Sequence, residues 1–184
     1  MIEPLGLAGA FTITPLVHHD ARGAFAETFR ASMLAEAGAD RPFVQENLAR
    51  TSKARQLRGL HFQRPPHAQD KLVQVLAGAV FDVIVDIRPG SATLGRWAGV
   101  TLSAETAKLI YVPRGFAHGY LTLTDEVAVL YKTTAYYAPD FEGGLAWDDP
   151  ALAIDWRMAP EDIATNDRDA RWPPFADVMA GLGR

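Results

Sequence analysis

Arg58, His61 and Lys71 fall close together in sequence that otherwise reads as buried β-structure: Arg58-Gly59-Leu60-His61-Phe62-Gln63, prolines at Pro65 and Pro66, then Gln69-Asp70-Lys71-Leu72-Val73. Unpaired polar and charged groups are costly to bury, so a concentration of them here marks a site. The three types divide the work: a histidine exchanges a proton near neutral pH, a lysine supplies a compact positive charge, and an arginine grips anions. A strand over Gln56 to Gln63 puts Gly59, His61 and Gln63 on one face and Arg58, Leu60 and Phe62 on the other. A β-bulge at Gly59 would bring Arg58 and His61 to one cavity. A lone histidine in a strand is more often structural than catalytic. Lys71 tips that balance, because a lysine opening an apolar strand places its charge near the mouth of a barrel.

A second histidine ends Pro113-Arg114-Gly115-Phe116-Ala117-His118, just after a Pro-x-Gly turn. Read plainly, its ring bonds a backbone carbonyl. The Pro-x-Gly-x-x-His pattern also resembles the second motif of the cupin superfamily, a jelly-roll barrel. In many cupins that histidine binds a metal together with a His-x-His pair and a glutamate of the first motif. Here the corresponding stretch is His61-Phe62-Gln63, so the second histidine is missing, whereas a transition-metal site wants three or four N or O ligands. No metal is expected.

The bulk numbers set the frame for these residues. A chain of 184 residues, 48% hydrophobic and 22% charged, suits one globular domain spanning 1–184. With 18 Lys+Arg against 22 Asp+Glu the formal charge is −4, so no global basic field draws nucleic acid or an anionic membrane, and an anionic ligand must be held by local arginines. The absence of cysteine excludes disulfides, thiolate metal sites and cysteine nucleophiles, and is compatible with the expected cytoplasmic location. The start Met1-Ile2-Glu3 has no basic region, and the mildly apolar run after it is broken by Thr12, Thr14 and Pro15, so no signal peptide is read. No apolar run approaches the ~20 residues of a membrane helix; the best, Val80 to Ile87, is interrupted by Asp82 and Asp86.

Short β-like runs separated by turn residues position the site. His19-Asp20-Ala21-Arg22-Gly23 reads as a hairpin turn within an N-terminal β-ribbon, and Ala26 to Ala37 as a helix with Phe29, Met33 and Leu34 on one face and Gly38 as its stop. Eight strands follow: Val44 to Ala49, Gln56 to Gln63, Lys71 to Ala77, Val80 to Arg88, Trp97 to Leu102, Lys108 to Val112, Gly119 to Leu123 and Val127 to Thr134. The pair turning at Gly78 alternates cleanly, with Phe81, Val83, Val85 and Ile87 on one face and Asp82, Ile84, Asp86 and Arg88 on a polar one. After Tyr137 the chain reads as loop, including Gly143-Gly144, with a short helix from Phe175 to Ala180. The expectation is an all-β, two-sheet or closed architecture with short flanking helices.

A narrower resemblance runs in order along nearly the whole chain. Gln45-Glu46-Asn47, Arg58 to Gln63, Gln69 to Val73, Phe81 to Arg88, Gly115-Phe116-Ala117-His118-Gly119, Tyr131-Lys132-Thr133 and Trp147-Asp148-Asp149-Pro150 are similar to the dTDP-4-dehydrorhamnose 3,5-epimerase family, cupin-type jelly rolls. The resemblance implies proton abstraction and return at C3 and C5 beside the C4 ketone of dTDP-4-dehydro-6-deoxyglucose, giving dTDP-4-dehydro-L-rhamnose without metal or other cofactor. Such chemistry needs a base, an enolate stabiliser and an acid.

By resemblance, His61 is the base and pairs with a late aspartate. Where the family shows Ser-x-Lys-Asp this chain has Asn166-Asp167-Arg168-Asp169, and Asp169 is chosen over Asp167. Lys71 sets its charge by the C4 oxygen, a contribution of ~3 kcal/mol for a well-placed donor. Tyr131 is the proton donor on the opposite sugar face; without the resemblance it is equally a cross-strand aromatic beside Val129. His118, with Asp82 as a supporting partner, sits deeper. Arg58 and Arg22 suit the diphosphate, Gln45 and Asn47 polar ligand contacts, and Tyr136 the nucleotide base. In the family the N-terminal segment crosses to a partner subunit, so Arg22 and Phe25 are expected to complete the neighbour's site in a homodimer. Two rivals are an epimerase of C3 or C5 alone in another deoxysugar pathway, and a non-catalytic sugar-nucleotide-binding cupin. The second has no use for a base and an acid together.

Overall fold

In the computed structural model, which describes residues 1–182, period-two apolar patterning produces thirteen strands and two short α-helices among the described residues. The N-terminal part holds β1 (Ile2–Pro4), β2 (Phe11–Ile13), β3 (Val17–Asp20), β4 (Gly23–Ala26) and α1 (Ala31–Glu36). The central part runs β5 (Gln45–Thr51), β6 (Leu57–Gln63), β7 (Lys71–Ala77), β8 (Ala79–Asp86), β9 (Trp97–Ser103), β10 (Leu109–Val112), β11 (Phe116–Thr122) and β12 (Val127–Thr133). A last strand, β13 (Glu142–Gly144), and α2 (Phe175–Leu182) lie in the C-terminal part.

Two antiparallel sheets carry the fold. One has the order β1-β2-β10-β7-β12-β5, the other β13-β6-β11-β8-β9, and β3 pairs only with β4 as a separate hairpin. The expected all-β jelly roll is therefore present as two sheets, with the N-terminal ribbon projecting from it. Val73 and Val75 of β7, Ile110 of β10 and Val129 of β12 meet Ile84 of β8 and Phe116 of β11 to fill the space between them. The outer face of the five-stranded sheet buries Phe81, Val83, Val85 and Leu121 beneath Leu145, Leu152, Trp156 and Val178 of the C-terminal segment. The outer face of the six-stranded sheet is covered in part by Leu34 of α1 packed on Phe11, Ile13, Leu72 and Leu109. Each such fully buried side chain contributes roughly 1.5–3 kcal/mol relative to exposure.

β7 has the bounds read from the sequence, and Gly78 makes the turn into β8 with φ +70°. The two faces of β8 also separate as expected, but the face carrying Asp82 and Asp86 points into the jelly roll rather than to solvent, and both carboxylates are fully buried. Asp86 is held there by Arg88, Ser91 and Thr93, whose hydrogen bonds outweigh burial and keep its carboxyl far below the usual range.

The helix expected from Ala26 to Ala37 shrinks to α1, because Ala26 closes the hairpin against Val17 and the residues after it run without helical structure to Arg30. Leu34 is buried as expected, whereas Phe29 stays 40% exposed, edge-on to Phe43. Gly38 ends the helix with φ +83°.

Candidate functional site

The site begins with one extra residue in β6. His118 of β11 faces His61 and Tyr120 faces Arg58, so three steps along β6 match two along β11. The bulge sits at Gly59, whose φ of +134° favours glycine and whose Cβ, were there one, would lie 2.5 Å from Gly119 Cα. It turns both Arg58 and His61 toward a cavity of about 380 Å³ between the sheets. Gln45 and Asn47 from β5, Lys71 from β7, His118 from β11, Tyr131 from β12, and Asp169 from a 3₁₀ turn also line it.

His61 Nε2 lies 2.8 Å from Asp169 Oδ1, across 108 residues of sequence. Asp169 is 1% exposed and also accepts the Gly59 N–H on Oδ2 at 3.0 Å, with Trp172 Nε1 and Arg168 Nε each 3.3 Å from Oδ1. Burial pushes this carboxyl up, but the hydrogen bond and charge of His61, then the Gly59 N–H and Arg168, win and hold it at about 2. An ionised acceptor fixes the proton of neutral His61 on Nε2 and leaves the Nδ1 lone pair for a ligand. Asp167, the other candidate carboxylate, is exposed.

Lys71 Nζ reaches His61 O at 3.4 Å, and burial pushes its ammonium down to about 8 against the opposing charges of Asp82 and Glu142. Tyr131 has its hydroxyl pushed up by burial, which keeps it protonated through the neutral range. His118 Nε2 lies 2.9 Å from Asp82 Oδ2, and Asp82 Oδ1 is buried with no hydrogen-bond partner among the described residues. Arg58 donates to Thr51 Oγ1 and Arg50 O, and Gln45 Nε2 donates to Asn47 Oδ1 at 2.9 Å.

Three of the residues singled out lie elsewhere. Arg22 and Phe25 stand on the β3–β4 hairpin, off the cavity of their own chain, with Arg22 paired to Asp20 at 2.5 Å and Phe25 71% exposed. Tyr136 is 68% exposed and off the cavity wall; Tyr137 takes that place. The reason is local. β12 ends at Thr133, alternation stops, and Gln63 binds the Tyr136 carbonyl and the Ala138 N–H, while the Tyr137 hydroxyl donates to Glu142.

Sequence reasoning also passed over Glu142, Arg168 and Trp172. Arg168 bridges Glu142 at 3.2 Å and Asp169 at 3.3 Å. Its signal was the Asn166-to-Asp169 quartet, in which Asn166 Oδ1 accepts the Asp169 N–H at 2.8 Å and Arg168 brings a cation. Glu142 and Trp172 carried no such signal, since both follow from β13, read as loop. Among the described residues no group of three or more His, Asp or Glu side chains is placed to hold a metal ion. Nor is any helix among the described residues long and apolar enough to cross a membrane.

The sequence profile of the dTDP-4-dehydrorhamnose 3,5-epimerase family matches residues 4–177. The dTDP-4-dehydrorhamnose 3,5-epimerase of Methanothermobacter thermautotrophicus is 44% identical over 172 residues, 93% of this chain and 92% of that protein. The dTDP-6-deoxy-D-glucose-3,5-epimerase of Legionella pneumophila, solved in complex with dTDP-4-keto-L-rhamnose, superposes with a TM-score of 0.93 at 42% identity, covering 99% of this chain and 96% of that one. A 3'-monoepimerase from Streptomyces bikiniensis, solved with dTDP-quinovose, gives 0.89 at 38% identity over 98% and 91% of the two chains.

Proposed function

The chain belongs to the dTDP-4-dehydrorhamnose 3,5-epimerase family, and from that premise we propose that it epimerises C3 and C5 of dTDP-4-dehydro-6-deoxyglucose to give dTDP-4-dehydro-L-rhamnose. The observation that carries this reading is the convergence of the His61–Asp169 pair, Lys71 and Tyr131 on one cavity. A neutral imidazole anchored through Nε2 takes the acidic proton beside the ketone, and Asp169 balances the charge the ring gains. Lys71 steadies the oxygen at C4 as negative charge moves onto it. Tyr131 returns a proton from the other face. Repeating the cycle at the second carbon inverts both centres, with no redox step and no cofactor.

Arg58 holds the diphosphate, Gln45, Asn47 and His118 make polar contacts to the ligand, and Asp82 orients His118. Arg22 and Phe25 serve the neighbouring subunit's site in a homodimer. Support for that assembly comes from a hairpin that pairs only with itself and from apolar side chains left open beside it and on the outer sheet face: Leu16 at 73%, Phe25, Leu48 at 49% and Leu76 at 47%. A cytoplasmic location accompanies this reading, consistent with the lack of cysteine.

Incubation with the 4-keto sugar nucleotide in D₂O, followed by NMR, tests the reaction. Deuterium at both C3 and C5 is expected. Label at one carbon alone would move the protein to the monoepimerases, and none would end the enzymatic reading.

A further inference from the structure

Trp172 has no task in the chemistry above, yet it touches both members of the proton-handling pair. Its indole stands edge-to-face on the His61 ring, centroids 6.1 Å apart and planes at 74°. Its Nε1–H points to Asp169 Oδ1 over 3.3 Å, the oxygen that also meets His61 Nε2. The adjoining strand provides the seat. Gly144 of β13 lies directly across from His61, so the two positions share a face of the sheet, and a Cβ on Gly144 would come within 2.0 Å of the indole. The ring fills the volume a side chain would have taken. The Ala146 N–H binds Pro173 O at 2.9 Å and fixes the backbone immediately after the tryptophan. The packing indoles of Trp97 and Trp156 satisfy their N–H groups on backbone carbonyls, whereas that of Trp172 meets the carboxylate paired with His61 and so enters the charge balance of the pair.

We propose that Trp172 is a positioning residue for the base: the indole edge holds the plane of the His61 ring, and the Nε1–H engages part of the Asp169 charge so that the imidazolium form is not held too tightly. The inference rests on His61 being the base of the proposed reaction. Its sign follows from electrostatics, because every donor on a carboxylate lessens what remains for the histidine. The charged and titratable groups lining the cavity with the ring are Arg58 of its own strand, Asp169 and Arg168 of the C-terminal segment, Lys71 of β7, His118 and Tyr120 of β11, Tyr131 of β12, Tyr137 beyond it, and Glu142 of β13. All of them are retained in a Trp172 variant, so a change in pH response reports the indole.

Two variants separate holding the ring from tuning the charge. Trp172→Phe keeps an aromatic edge and loses the donor; kcat should stay within about fivefold, while the acidic limb of kcat/KM for deuterium exchange moves up by roughly half a pH unit. Trp172→Ala loses both, and kcat should fall about 10- to 100-fold with KM within about twofold. An unmoved limb in Trp172→Phe, or a loss in Trp172→Ala that appears in KM with kcat retained, overturns the proposal. A substrate-free readout covers an alanine variant that fails to fold. Protonated imidazole quenches a neighbouring indole, so tryptophan emission of the native protein should drop in one step as His61 takes up its proton, and the step should vanish in Trp172→Phe and in His61→Asn. Normal exchange in a protein without that step overturns the Trp172 proposal alone. A step without exchange overturns the epimerase reading and supports the Trp172–His61 contact.

Discussion

Two histidine–aspartate pairs stand on the same sheet at nearly the same separation, 2.8 Å for His61–Asp169 and 2.9 Å for His118–Asp82, and everything around them differs. The first joins a strand to a turn 108 residues away, the second joins two neighbouring strands. Asp169 meets donors from Gly59, Arg168 and Trp172 besides His61, whereas one oxygen of Asp82 meets no donor among the described residues. The His61 side chain is 24% exposed to the cavity, that of His118 only 8%. Residue type and distance therefore do not separate the pair proposed to handle protons from the one proposed to support it. Access to the ring, and the number of donors that keep its carboxylate ionised, do.

The contrast is broken most directly at the histidines. His61→Asn should lower deuterium exchange about 10³-fold or more, within the usual range for a general base, with little change in urea unfolding. His118→Asn should cost about tenfold, chiefly in KM, and about 3 kcal/mol of stability, because Asp82 is left buried without its partner. Equal catalytic losses would show that both rings handle protons.

The aspartates give a smaller and sharper test. Asp169→Asn keeps the shape but no longer fixes the proton on His61 Nε2, so kcat should fall about 10²-fold. Asp82→Asn should cost less than about tenfold, since its ring is not asked to change charge. Rate measurements at saturating substrate decide between them, and a larger loss at Asp82 would invert the assignment.

Lys71 lies between the two pairs, and its depressed value makes it visible in pH. Activity that needs the ammonium should fall about tenfold per unit as pH rises above about 8. Stability should move the other way. The unfolded chain keeps its Lys71 proton up to about 10.5 while the folded one loses it near 8, so unfolded molecules bind more protons across that window and stability rises through it. Asp169, held at about 2, gives a slope of the same sign in its own window: the unfolded chain binds more protons there, so its contribution is present above the ordinary carboxylate value and is lost as pH falls toward 2. Lys71→Arg keeps its charge throughout and should remove the alkaline limb near 8; a limb that stays would place it on another group.

Much of this was legible in the chain. Alternation marked the main strands because both faces of β8 are buried and neither tolerates a slip of register. The bulge at Gly59 could be read because a glycine interrupts an otherwise regular β pattern. What escaped has physical causes. Gly143 and Gly144 look like loop residues but belong to β13, their missing side chains making room for Phe62 on one face and Trp172 on the other. A reading by side-chain pattern is blind where the pattern is supplied by a neighbour. Helix propensity in Ala26 to Arg30 lost to hairpin pairing at Ala26, and the side of the chain on which Tyr136 and Tyr137 fall was not legible because periodicity ends with β12.

The smallest effect is expected where this chain departs from its family's spelling. Asn166 accepts the Asp169 N–H through a side-chain oxygen, which a serine also does at the head of a turn. Arg168 carries one positive charge to Glu142 and Asp169, and a lysine carries the same charge with less reach. The double variant Asn166→Ser, Arg168→Lys should therefore keep kcat/KM within about threefold and lose about 1 kcal/mol of stability, one hydrogen bond's worth, in urea unfolding. Asp169 keeps its Gly59 and Trp172 donors in that variant, so the His61 pair stays assembled. A tenfold loss would mean that the forked guanidinium, which spans Glu142 and Asp169 at once and comes within 3.4 Å of His61 Nε2, is itself part of what distinguishes this pair from the buried one.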